Sequence, residues 1–381
     1  MKKFAYFLGY GVVYPYSVQP DGSLSSLGRP VPSTDAVDIA CANASAFQRG
    51  GNYIFLANQS NNVTVSMGAI SIYHVNDDGS LTPNIQHYTN GVQSEPSYIV
   101  GFYTGSNTYD IYIDNYIQAD EQNPLTEQIP GFRFSPPDTV RPWNKKVNGL
   151  PDSVVGDVAD LELVSTPGAD PSYQAQILFA LYRNTPANKT QIVALETSAF
   201  GLSYLGSGEV VGTGQGYALA ANLKFAYVIF GTTPTNAPTP LQVAGFKLDG
   251  SGRQFTPLGN VAQLNGSGTA CAISPNGKYL FIGVTGDMLD DQGANVVASY
   301  KIGSDGFLSK SDQKPCGSIG LKISALTVDP SGKYLYAMSE YEGNVYVYEV
   351  NDDDGSLTPK PSITVDNGNG AGLFGMVIID V

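Results

Sequence analysis

Apolar positions in this chain come in short runs broken by turn residues, and nowhere do they recur at helical spacing over three turns. Runs such as residues 334–338 (YLYAM) and 344–348 (NVYVY) are aromatic and β-branched, the composition of a strand packed on a pleated surface. The pattern predicts an all-β protein.

Two turn signatures punctuate the runs. The first is an Asp-Gly turn after a strand that ends in an aromatic residue: YPYSVQPDGSL, ISIYHVNDDGSLTP, VAGFKLDGSG, ASYKIGSDGFL and VYVYEVNDDDGSLTP. Asp-Gly supplies the positive φ that a tight hairpin needs. The second is Pro-x-Gly-Lys-Tyr, in AISPNGKYLFIGV and TVDPSGKYLYAMS, with a weaker copy in RGGNYIFLAN. It joins an innermost strand to the next one out.

The glycines of the first signature, Gly22, Gly79, Gly250, Gly306 and Gly355, with a degenerate copy at Gly201, recur about every 50 to 60 residues. One double-length gap, from Gly79 to Gly201, holds SYIVGFY, TYDIYIDNY and QIPGFRFSP, with a fourth strand near Trp143. Seven units of four strands follow, which is a seven-bladed β-propeller. The chain ends on GLFGMVIIDV, an inner-strand sequence without partners, and begins on FAYFLGY, a second-strand sequence without an inner one. The expectation is one ring over residues 1–381, closed by pairing residues 374–381 with residues 4–10. The Pro-rich stretch at 136–151 is the natural place to divide the chain in two, but markers of the same kind on both sides argue against it.

Composition narrows the function. Gly 43, Pro 24 and Tyr 24 suit many turns and aromatic strands. The formal charge of -14, with only 20 scattered Lys and Arg, argues against nucleic acid and anionic membranes as partners. Cys41, Cys271 and Cys316 form neither a CxxC nor a metal spacing and read as free thiols; Cys41 and Cys271, in DIACAN and GTACAIS, look like equivalent strand positions. No apolar run is long enough to span a bilayer, and the N-terminal segment lacks a small-residue cleavage site. A soluble, cytoplasmic protein is expected. Asn-x-Ser/Thr at Asn43, Asn58, Asn62, Asn188 and Asn265 leaves secretion as the alternative.

The repeats SPNGKYLFIGV, DPSGKYLYAMSEYEGNVYVYEVNDDDGSLTP and SIYHVNDDGSLTP resemble those of the lactonase-type seven-bladed propellers, which include 6-phosphogluconolactonases and carboxymuconate cycloisomerases. The resemblance implies the fold, and a lactonase-like hydrolase or isomerase acting on a small cyclic ester at the mouth of the central channel. It also implies Pro-His and Pro-Arg-His sequences at the start of inner strands, and these are missing. Blade three reads Glu95-Pro96-Ser97-Tyr98 at that place and blade five reads Gly214-Gln215-Gly216-Tyr217. The chain's histidines, His74 and His87, fall in outer strands of blade two. A propeller without catalysis, serving as a ligand- or protein-binding module, is therefore the alternative.

In a four-stranded meander both tight turns lie on one face, so the long loops gather on the other and form its mouth. They carry Asp114, Asp120, Glu121, Asp287, Asp290, Asp291, Glu340 and Glu342 against few cations, chiefly Arg183 and Lys189. An acidic mouth favours a small neutral or cationic molecule over a phosphorylated one. Candidate catalytic residues are Glu95 or Asp287 as carboxylate base and Arg183 as partner of a developing anion. Candidate ligand-binding residues are Tyr10, Tyr98, Tyr116, Glu340 and Tyr341. The Asp287, Asp290, Asp291 run offers hard oxygens for Ca²⁺ but matches no loop motif, so no metal or other cofactor is expected.

Overall fold

The structure, a computed structural model, describes residues 2–9, 11–33, 36–41, 53–58, 67–93, 98–105, 108–114, 129–144, 147–154, 156–165, 176–184, 189–198, 201–211, 214–231, 241–264, 266–286, 295–318, 322–340, 342–365 and 372–381. Among them no helix occurs, so none is long and apolar enough to cross a membrane.

Seven antiparallel sheets form, each an ordered four-stranded meander, the first carrying an extra two-residue strand. In blade one the C-terminal strand Leu373–Asp380 is innermost and pairs with Lys3–Gly9, from Lys3 opposite Asp380 to Gly9 opposite Leu373. The Lys2 and Val381 backbones bond to each other beyond the strand ends, at 3.1 and 2.8 Å. Closure is as the sequence predicts. Blade three is also as expected, with strands Ile99–Gly105, Thr108–Ile113, Gly131–Ser135 and Thr139–Asn144, the last containing Trp143.

The second strand of each blade reads as a continuous apolar run because it serves two cores. In Phe225–Gly231, alternate residues Ala226, Val228 and Phe230 pack toward blade four, while Phe225, Tyr227 and Ile229 pack toward blade six. Period-two alternation thus sends one strand's side chains to both faces. The buried apolar residues fall into seven clusters, one between each consecutive pair of blades, including blades seven and one. Fourth strands such as Leu308–Pro315 form the exposed rim.

The two turn signatures meet between blades. The Asp-Gly turn of one blade sits on the aromatic that opens the second strand of the preceding blade. A Cβ on Gly306 would lie 2.6 Å from the Phe225 ring, and one on Gly355 2.5 Å from the Tyr279 ring. Gly79 packs equally close on Phe4 and Gly22 on Tyr334. Tyrosine hydroxyls then donate to the docked turns: Tyr6 to the Gly79 carbonyl at 2.9 Å, Tyr227 to Gly306 at 2.9 Å and Tyr336 to Gly22 at 3.0 Å. Hence these turns use Asp-Gly: φ is positive and the next blade leaves no room for a side chain.

Candidate functional site

The innermost strands touch one another around the whole ring, each against that of the next blade. They are Leu373–Asp380, Ala36–Cys41, Ile99–Gly105, Asp157–Ser165, Gln215–Ala221, Ser267–Ile273 and Ile323–Val328, from blade one to blade seven. Six of them carry a bulge near the end at which they enter the ring. A bulge inserts one residue and re-aims its neighbours. The residue that follows is Gly375 in blade one, Asp38 in blade two, Asp160 in blade four, Ala218 in blade five, Ala270 in blade six and Ala325 in blade seven.

Where most blades place a small residue, blade four places a carboxylate, and Glu162 follows two residues later on the same face. Asp160 spans to blade five: Oδ2 accepts from the Leu219 backbone N–H at 2.8 Å, and Oδ1 accepts from the Leu161 N–H at 2.8 Å. Both residues keep some surface in the channel. Protein nevertheless crowds the carboxyl groups, and burial pushes Asp160 up to about 7 against the lowering effect of its two backbone hydrogen bonds. Burial and then the Asp160 charge push Glu162 up to about 8. Cys271 in blade six feels both: burial first, then the Asp160 and Glu162 charges, push its thiol well up. This is a coupled carboxyl pair on an innermost strand, with Asp160 turned toward blade five and a neutral thiol within electrostatic reach. Among the described residues no group of three or more His, Cys, Asp or Glu could hold a metal ion.

The pair lies inside a strand, whereas the candidate acids named from the sequence belong to its predicted loops. Its signal is Asp-x-Glu inside the apolar run DVADLELV, at positions where other inner strands carry Ala218 and Ala220, Ala270 and Ala272, or Ala325 and Thr327.

Of the predicted site residues, Arg183, Tyr98 and Glu340 are brought to one rim, on blades four, three and seven. Arg183 is half-buried near the end of strand Gln176–Asn184, opposite Asp157 at the entry of the inner strand. It acts on Tyr217, the bulged residue of blade five: burial raises the phenol and the Arg183 charge lowers it. Tyr98 precedes the inner strand of blade three, and its N–H donates to Asp114 Oδ1 at 2.7 Å. Asp114 is buried there, so it pins blade three and does not add to an exposed acidic mouth. The Glu340 carboxylate lies 3.2 Å from Lys322 Nζ, and the Glu340 carbonyl accepts from the Leu373 N–H at 2.8 Å, tying blade seven to blade one. Glu342 is likewise engaged. Burial would raise it, but bonds from the Ser318 backbone, Tyr346 and Asn344 prevail and hold it below the usual range. Glu95, Asp287, Tyr10, Tyr116 and Tyr341 lie outside the described residues.

His74 packs edge-on against Tyr53 and pairs with Asn76 at 3.1 Å, a structural role in an outer strand as expected. Cys271 and Cys316 are free thiols. Cys41 and Cys271 are not equivalent: Cys271 directly follows the post-bulge residue and Cys41 lies two residues further along its strand, so similar flanking letters misled the alignment.

A ring of seven four-stranded sheets with an acidic pair on its axial wall defines an axial-site β-propeller. The family model for the lactonase seven-bladed β-propeller matches residues 176–371, and the chain belongs to that family. Among solved structures it resembles a protein of Bacteroides uniformis named provisionally as a 6-phosphogluconolactonase, at 16% identity over 99% of both chains with a TM-score of 0.68. It also resembles the periplasmic gluconolactonase of Pseudomonas aeruginosa, at 15% identity over 100% of both chains with a TM-score of 0.65. A hypothetical selenium-binding protein of Sulfolobus tokodaii matches at 10% identity, over 99% of this chain and 93% of its own, with a TM-score of 0.66. At such identities the likeness is one of fold. No curated protein sequence matches the chain.

Proposed function

We propose that this lactonase-family propeller hydrolyses a small cyclic ester in its central channel, with Asp160 and Glu162 as the acid–base pair. The observation that carries the reading is the pair itself: two carboxyls on one face of an inner strand, crowded until together they hold a proton near neutrality. Asp160 is the better base, because two backbone N–H groups stabilise its ionised form. Glu162 is the better holder of the proton.

Ionised Asp160 takes a proton from water as the water oxygen bonds to the lactone carbonyl carbon. The ring ester C–O bond then breaks, and Glu162 protonates the departing alkoxide. One proton has entered the pair and one has left, so the pair finishes with the single proton it began with. Arg183 at the rim is the cation nearest to a developing oxyanion.

A panel of lactones assayed with and without divalent metal tests the reading. Turnover above background, reduced about 100-fold or more in D160N and in E162Q with unchanged circular dichroism, supports it. If E95Q or D287N abolishes turnover while E162Q does not, the base lies there instead. The second reading, a binding module without catalysis, is favoured by Gly214-Gln215-Gly216-Tyr217 occupying the place where the Pro-Arg-His sequence was expected. Lactone binding without turnover would select it.

A further inference from the structure

We infer that the channel takes an uncharged lactone, discriminates against a phosphorylated one, and uses its own charge to expel the hydroxy-acid product. The inference rests on the proposed hydrolysis and assigns that site a substrate class.

The seven inner strands together contain no Lys, Arg or His. They do carry Asp38, Asp157, Asp160, Glu162 and Asp380. Proteins hold phosphate with Arg or Lys, with helix N-termini, or with clustered backbone N–H groups. The wall provides no cation, and no helix occurs among the described residues. The Leu219 N–H, which projects from the edge of an inner strand, is already taken by Asp160. At the rim, Lys322 lies against Glu340, and Arg183 faces Asp157 across the ladder. A phosphate dianion entering this wall meets like charge in a poorly solvated space, where repulsion is stronger than in water. An uncharged ring meets small alanines and hydrogen-bonding groups.

Hydrolysis changes the sign of this selection. The neutral ester becomes a hydroxy acid that loses its carboxyl proton to solvent, and the carboxylate then stands beside a pair that still holds one negative charge, so repulsion favours its departure. The carboxyl pair therefore serves entry, chemistry and exit with one charge.

The test compares equilibrium binding, by calorimetry, of glucono-δ-lactam and its 6-phosphate, which are not hydrolysed, and runs alongside turnover of the two corresponding lactones. Expected is at least tenfold tighter binding of the uncharged lactam at low salt, a narrower gap at 0.5 M NaCl, and a narrower gap again in the D160N/E162Q double variant, which removes the pair's charge. Gluconate should inhibit weakly at pH 8 and more strongly at pH 6, where the pair gains protons. Equal or tighter binding of the phosphorylated lactam, or binding of neither, overturns the inference. Turnover of the phosphorylated lactone at the rate of the neutral one overturns it while leaving the hydrolase reading intact. Selective lactam binding with no turnover of either lactone leaves the charge selection standing and removes the hydrolase reading together with the product-release step.

Discussion

Two residues differ in kind from most of their counterparts around the ring. Asp160 and Glu162 stand where blades five and six place alanine, and crowding raises both carboxyls, Asp160 to about 7 and Glu162 to about 8. The pair holds a single proton only between those values, so kcat/KM should follow a bell with limbs near pH 7 and pH 8, read as properties of the pair. E162Q should flatten the alkaline limb in a pH–rate profile. The same shift has a stability consequence of defined sign. A carboxyl raised on folding binds its proton more tightly in the native state, so its favourable contribution is complete below the ordinary carboxylate range and is lost as pH rises through 7 to 8. E162Q should therefore be more stable than the parent at pH 9 and no more stable at pH 5, as read from urea midpoints. A variant that gains stability while losing turnover is the signature of a group kept for function.

At the scale of elements, the repeated turn is an interblade lock. Gly306, at a φ of +90°, rests on Phe225 while its carbonyl receives the Tyr227 hydroxyl. G306A should cost about 1–3 kcal/mol, from backbone strain and the clash with the ring, and Y227F about 1 kcal/mol, from the lost hydrogen bond. Denaturant melts of both variants check this, and a G306A chain as stable as the parent would contradict it. The Pro-x-Gly-Lys-Tyr and Asp-Gly signatures were read from sequence as two separate hairpins. The structure shows one contact made from both, since the aromatic after the first turn is the platform for the second turn of the next blade. The inner-strand bulges were not foreseen, because an extra residue in a strand leaves no mark in its alternation. That is why Cys41 and Cys271 were aligned by their neighbours and found two positions apart.

For the whole molecule the decisive region is the seam. Lys3 and the buried Asp329 form an ion pair across it, joining the first strand to the Pro-x-Gly turn of blade seven. Burial would raise Asp329, but hydrogen bonds from Lys3, Ser331 and the Tyr334 backbone outweigh it and hold the carboxyl low. K3A leaves that charge without its partner and should destabilise the ring by about 3 kcal/mol, near the low end for a buried pair because Lys3 is itself a quarter exposed. The gap between parent and K3A should hold above the usual carboxylate pKa and close as pH falls below it, when Asp329 protonates. Removal of residues 373–381 takes away the inner strand of blade one and exposes two interblade cores at once. The truncated chain should lose cooperative unfolding in a thermal melt.

The sequence alone determined the seven-fold repeat, the four-stranded unit and the pairing of the two ends. These follow from local signals: turn chemistry fixes where strands end, alternation fixes which faces are apolar, and an unpartnered run at each end requires the other. It also named Arg183, Tyr98 and Glu340, which stand at strand ends of blades four, three and seven. Only the tertiary structure decided which carboxyls matter. The shift of an acid's pKa is a sum over everything that replaces water around it, and for Asp160 and Glu162 the named neighbours come from blades four and five, brought together only when those blades pack.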